Sequence, residues 1–209
     1  MEKDFYLEKT LKDSNLCNLK ESLLEIGLDS IMKDSLLKDI PVFSFINGLT
    51  KFGLNIKDRL FLKKILLFLF NIREVSEKER RKVIERIHRE KKYRMNVGEK
   101  LIFILDKSDD LEKVDIIGNL FLKFLKKNIS YDSFIRASGA INNVFLPDLH
   151  WFLELNPNTL YIVNEHANSL FACGILLIKV ENRQMVNTEV SYEISEIGKL
   201  LLSICGKKK

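Results

Sequence analysis

The chain reads as mainly α-helical, a multi-helix bundle finished near its C-terminus by a β-hairpin. Three observations predict this. Apolar residues recur at three- and four-residue steps along most of the chain. Helix breakers are scarce, with 9 Gly and 3 Pro in 209 residues. The period then shortens to strict alternation in one late stretch, Thr188 to Ile194. With 46% hydrophobic and 30% charged residues, the composition supports a buried core and excludes a disordered chain.

From Asn15 to Gly27, Leu16, Leu19, Leu23, Leu24 and Ile26 form a helical stripe, and Gly27 suits the C-terminal cap. A short helix is expected over Asp29 to Lys38, and Pro41 opens a new segment. Residues 40–72 are the most apolar region, yet Lys51, Lys57, Asp58, Arg59, Lys63 and Lys64 interrupt it. A spanning helix needs roughly 18 apolar residues, so two buried helices are expected. Ser76-Glu77-Lys78-Glu79 is a capping-box start for a helix reaching Tyr93, with Val83, Ile84 and Ile87 as its thin apolar stripe.

Gly98 to Lys107 gives another helix, through Leu101, Ile104 and Leu105. Ser108-Asp109-Asp110 caps the next, whose Leu111, Val114, Ile117, Phe121, Phe124 and Leu125 share a face. Lys126 and Lys127 favour its negative end, and Asn128 suits the exit. Ser130 starts a helix carrying Tyr131, Phe134, Ile135, Ile141 and Val144, and Pro147 opens a short one through Leu155. The turn Asn156-Pro157-Asn158-Thr159 divides a helical body, 1–155, from a C-terminal module, 156–209.

In that module Leu160 to Cys173 is helical in period, with Val163, Ala167, Leu170 and Phe171 on one face and Gly174 at its end. Ile175 to Val180 is a branched strand, 181–187 a turn, and Thr188 to Ile194 a second strand. Ser195 caps a last helix, Glu196 to Cys205. This order, and the run from Tyr192 through Ser195 and Gly198 to Leu201, resembles the back half of winged-helix domains, where a Ser or Thr starts the last helix and a Gly allows close packing. In DNA-binding members the helix before the wing reads base edges. Here it would present Asn164, Glu165, His166, Asn168 and Ser169, without a Lys or Arg, and the wing supplies Lys179 and Arg183 against Glu181 and Glu189. A structural or protein-contact role is therefore expected of it.

The net charge of +5 is compatible with an anionic partner. The cations concentrate after Ser76: Lys78, Arg80, Arg81, Lys82, Arg86, Arg89, Lys91, Lys92 and Arg94, against Glu77, Glu79, Glu85 and Glu90. Arg80, Arg81, Arg86, Arg89 and Lys92 are the candidate anion or nucleic-acid contacts. The competing reading is a solvated helix laced with pairs such as Glu85 with Arg89. Arg81 and His88 also match the spacing of the higher-eukaryote-and-prokaryote nucleotide-binding ribonucleases, but Lys82 stands where that family prefers Asn, Asp or His.

Nothing else points to catalysis. His88, His150 and His166 show no ligand spacing, Gly48 and Gly53 lack a phosphate-loop context, and Asp106, Asp109 and Asp110 lack the glycine and glutamate of a calcium loop. No enzyme, metal or cofactor is expected. Cys17, Cys173 and Cys205 are odd in number and far apart, and Met1-Glu2-Lys3-Asp4 does not start a signal peptide, so a cytoplasmic protein with free thiols is expected.

Lys38-Asp39-Ile40-Pro41-Val42-Phe43-Ser44, Asp58 to Lys64, Glu99 to Asp106, Glu112-Lys113 and Ile129 to Phe134 resemble, in this order, small helical bacterial proteins found among mobile-element and phage-defence genes. More remotely, the chain is similar to the abortive-infection alpha family. Neither family brings catalytic residues to carry over. The resemblance implies a context, host–phage conflict, and nothing more; within it the reading is a non-enzymatic interaction or regulatory component, with another protein or a second copy as partner. The alternatives are a winged-helix nucleic-acid binder and a membrane-perturbing effector using residues 40–72.

Overall fold

The apolar periodicity folds largely as helix. The computed structural model describes residues 2–19, 40–44, 55–90, 96–154, 164–183 and 187–205; it is mainly helical, with one C-terminal antiparallel hairpin. The helices expected over 15–27 and 29–38 lie mostly outside the described residues. The chain divides into two units, Met1–Asn128 and Ile129–Lys209, so the boundary expected at 155/156 falls within the second.

The first unit holds α1 (Glu2–Leu11), a 3-10 turn (Ser14–Asn18), α2 (Ile56–Ile72), α3 (Glu77–Arg89), α4 (Val97–Lys107) and α5 (Leu111–Leu125). The main packing partners are α2 with α5 and α1 with α4, while α3 touches α1, α4 and α5. Of the apolar region, residues 45–54 lie outside the described ones; in the rest, Leu62, Ile65, Leu66, Phe68, Leu69 and Ile72 of α2 are buried, as are Ile40, Val42 and Phe43. No helix among the described residues is long and apolar enough to cross a membrane. Helices α2 and α5 approach closely at Gly118, where an added Cβ would lie 2.9 Å from the Asn71 Cβ. The Asn71 amide fills that space and donates to Asp115 Oδ1 at 2.9 Å, so the contact is polar as well as tight.

The second unit comprises α6 (Tyr131–Asn143), α7 (Leu146–Glu154), α8 (Glu165–Ala172), β1 (Leu176–Arg183), β2 (Asn187–Ile194) and α9 (Glu196–Cys205). Strands β1 and β2 pair antiparallel from Leu176↔Ile194 to Arg183↔Asn187. Helix α6 packs on α9, and α7 on both α8 and α9. Two helices assigned by the sequence reading to the body thus share a core with the hairpin. Asn164 is extended, and its side chain accepts from Ala167 N at 2.8 Å. The pre-hairpin helix is therefore capped by Asn164 and starts at Glu165, while the 160–163 part of the expected helix lies outside the described residues. Gly174 ends it at φ +76°. There Ile175 N bonds Leu170 O and Gly174 N bonds Phe171 O, the left-handed exit that glycine allows.

Candidate anion-binding face

Helix α3 starts as its sequence predicts. Ser76 Oγ accepts from Glu79 N at 3.3 Å, and the Glu79 carboxylate accepts from Ser76 N at 3.3 Å. Hydrogen bonds from the Ser76 side chain and backbone hold the Glu79 carboxyl below its usual range. Burial opposes them, and the charges of Lys127 and Lys126 add smaller effects in the lowering direction. Those lysines, at the C-terminal end of α5, therefore lie close enough to α3 for their charge to be felt.

The five candidate residues separate by where the helix turns them. Arg80 leaves the set: it is 1% exposed and shares the inner face with Val83, Ile84 and Ile87. Its guanidinium donates to Leu11 O at 2.8 Å and also to the carbonyls of Val75 and Asp13. It therefore joins the end of α1 to the turn between α2 and α3. Arg81 is exposed but engaged, pairing with Glu77 at 2.7 Å and donating to Lys12 O at 3.1 Å. His88 pairs with Glu8 at 3.2 Å, so the ribonuclease-like Arg81 and His88 are each committed to a different carboxylate.

Arg86 and Arg89 remain on the solvent side, and Lys92 lies outside the described residues. With Lys82 they fall at steps of four and three along one stripe of α3. Together with Val83, Glu85 and Lys127 they line a cavity of about 270 Å³. Among the described residues, Lys82, Arg86, Arg89 and Lys127 make no side-chain ion pair, and the expected pair between Glu85 and Arg89 is absent. Four cations thus converge with one carboxylate among them. Such crowding is unfavourable without a counter-charge.

Lys127 was read only as a charge at a helix end. Its backbone is left-handed, at φ 61°. Asn128 N bonds Lys123 O and Lys127 N bonds Phe124 O, each at 2.9 Å, which makes Lys127 the left-handed exit residue of α5. Glycine usually fills that place, and a side chain there costs about 1 kcal/mol.

A larger cavity, of about 380 Å³, lies beside Ser14, Cys17, Arg73 and Arg80. Its cations are already spent. Arg73 stacks 3.5 Å over the Phe70 ring and donates to Phe70 O, and Arg80 is saturated by carbonyls. Size alone does not make it the better anion site.

The second unit contains a pair that sequence reasoning missed. His166 Nδ1 lies 2.7 Å from Asp148 Oδ1, linking α8 to α7, and Trp151 stacks on the imidazole with centroids 5.2 Å apart. The partners are eighteen residues apart, with no ligand-like spacing to join them. Burial pushes the Asp148 carboxyl up, but hydrogen bonds from His166 and Ser169 and the imidazole charge outweigh it, leaving the group below its ordinary value of 3.8. A carboxylate with a depressed folded pKa stabilises above its unfolded pKa, and that stabilisation is lost as pH falls through the folded value. The stability advantage of the native chain over Asp148→Asn is therefore expected above about pH 4 and should shrink below it. Thermal melts of both proteins across acid pH check this; a constant difference down to pH 2 contradicts it.

Two more of the polar residues expected to read bases, both exposed, are hydrogen-bonded within their own unit. Asn168 accepts from the Tyr192 hydroxyl at 2.7 Å, and Asn164 caps the helix. Comparison with family models, with curated proteins and with solved structures finds no match for this chain.

Proposed function

We propose that the chain is a non-enzymatic, cytoplasmic interaction protein that holds the phosphate backbone of nucleic acid on the solvent face of α3. The convergence of Lys82, Arg86, Arg89 and Lys127 on one cavity, unpaired among the described residues, carries this reading. The engagement of His166, Asn168 and Asn164 within their own unit argues against base reading by the helix before the hairpin. Binding through phosphates without base contacts is insensitive to sequence and steeply dependent on salt. The resemblance to phage-defence and mobile-element proteins suits such a role.

With four cations engaged, the logarithm of the affinity should fall against the logarithm of salt with a slope of about −3 to −4. The triple variant Lys82→Glu, Arg86→Glu, Arg89→Glu should abolish binding while melting close to the native chain, because all three side chains are exposed. Fluorescence anisotropy with a labelled oligonucleotide across salt measures both. No binding at low salt sinks the reading.

A second reading, a protein partner taken at the hairpin end, is favoured by one observation. Leu177 and Ile178 of β1 remain 47% and 46% exposed, more apolar surface than a solvated ribbon needs. Co-purification from the native host, with Leu177→Ser and Ile178→Ser as the variant bait, tests it; an unchanged set of partners counts against it.

A further inference from the structure

We infer that the cavity between α3 and the end of α5 is a seat for one dianionic phosphate, the monoester end of a nucleic-acid strand, and that Lys127 completes it. This rests on the nucleic-acid reading above and goes beyond it in ligand and stoichiometry.

Two observations of different kinds meet at Lys127. The first is charge. Lys82, Arg86 and Arg89 follow one stripe of α3, which by itself suits a run of phosphates passing along the helix. Lys127 belongs to another element and lines the same cavity, turning a stripe into a cluster. An internal phosphodiester brings one negative charge, whereas a phosphomonoester brings about −1.5 to −2 at neutral pH. In the cavity lining, four cations against one carboxylate, Glu85, leave more positive charge than one diester neutralises, and a monoester matches it better. Arginine adds forked donors suited to phosphate oxygens, and lysine a point charge beside them.

The second observation is backbone. The exit of α5 places a lysine where glycine would be relaxed, at φ 61°. The exit of α8 shows the relaxed choice, Gly174 at φ 76°, with the same pair of backbone bonds. Strain held at a position whose side chain lines a charged cavity points to a role for that side chain.

The test compares 5′-phosphorylated and 5′-hydroxyl oligonucleotides of one sequence, bound to the full chain at fixed salt. The phosphorylated strand should bind about tenfold more tightly, as expected for charge-assisted hydrogen bonds to a second phosphate charge. In Lys127→Gly the preference should fall to within about twofold. Loss of folding does not confound this variant, since glycine relaxes the turn and should leave the melting temperature unchanged or raise it by up to about 4 °C. Competition with a nucleoside 5′-monophosphate separates the sources of the ligand. Displacement at concentrations comparable to the oligonucleotide assigns the seat to free nucleotides and overturns the strand-end assignment, and no displacement supports it. Equal, salt-dependent binding of both strands overturns the seat and leaves the backbone reading standing, as does a preference that survives Lys127→Gly. Absence of binding to either strand overturns both.

Discussion

Replacing Arg80 with alanine should destabilise the first unit by about 3–5 kcal/mol, a loss of roughly 10 °C or more in melting temperature. The side chain is among the largest fully buried ones, so its removal leaves a void. The greater part of the cost is polar. The carbonyls of Leu11, Asp13 and Val75 all accept from this one guanidinium, and buried acceptors without donors cost about 1–3 kcal/mol each when water does not replace the donor. Leu11 ends α1, where helix carbonyls have no partner within the helix, so Arg80 also acts as that helix's cap. Lysine at position 80 keeps the charge but not the fork, and should recover only part of the loss. Arg86→Ala, on the opposite face, should change stability by less than about 0.5 kcal/mol. Denaturant melts of the three variants decide it, and an Arg80→Ala protein within 2 °C of the native chain refutes the account. Nucleic-acid affinity per folded molecule should be unaffected by Arg80→Lys, which separates this residue from the cationic face.

Arg80 was legible in the sequence, although composition obscured it. It stands three and four residues before Val83 and Ile84 and seven before Ile87, which places it on the apolar stripe by helical period alone. Counting cations between Lys78 and Arg94 grouped it with residues that face water. The ion pairs were not legible. Glu77 with Arg81 and Glu85 with Arg89 have identical spacing and order, yet only the first forms among the described residues. An exposed pair of this kind contributes about 0.3–0.5 kcal/mol, less than thermal energy, so spacing does not decide it. What decides the first is a second acceptor, Lys12 O, brought to Arg81 by the fold.

The helical elements were legible because their stripes are long and regular, and the capping box at Ser76 because its chemistry is local. The division of the chain was not. Asn156-Pro157 announces a turn, and a turn marks the end of an element and not of a core; α6 and α7 pack on the helices flanking the hairpin instead. The exit of α5 was misread by one residue, since nothing in a lysine advertises a left-handed backbone and Asn128 beside it is the commoner choice. His166 and Asp148 meet only through the packing of α7 on α8, which no local period encodes.

Two glycine substitutions, identical in local chemistry, should have opposite effects. In Gly198→Ala the new Cβ would lie 2.5 Å from the Ile175 carbonyl oxygen, 2.7 Å from Ile194 Cγ2 and 3.3 Å from Phe152 Cζ. The nearest of these is backbone, and Ile175 O already accepts from Ser195 N at 3.1 Å, so no side-chain rotation relieves the clash. Helix α9 would have to move off the base of the hairpin, at a cost of about 2–4 kcal/mol that exceeds the roughly 1 kcal/mol alanine gains in helix propensity. In Gly139→Ala, within α6, the Cβ meets nothing within 4 Å, and propensity should prevail, stabilising by about 0.5–1 kcal/mol. Helix propensity alone predicts the same sign for both. Only the seating of α9 against Ile175 and Ile194 makes them diverge. Two variants that both melt above the native chain would show that this seating, and with it the close approach expected of the glycine after Ser195, is not what holds the C-terminal helix in place.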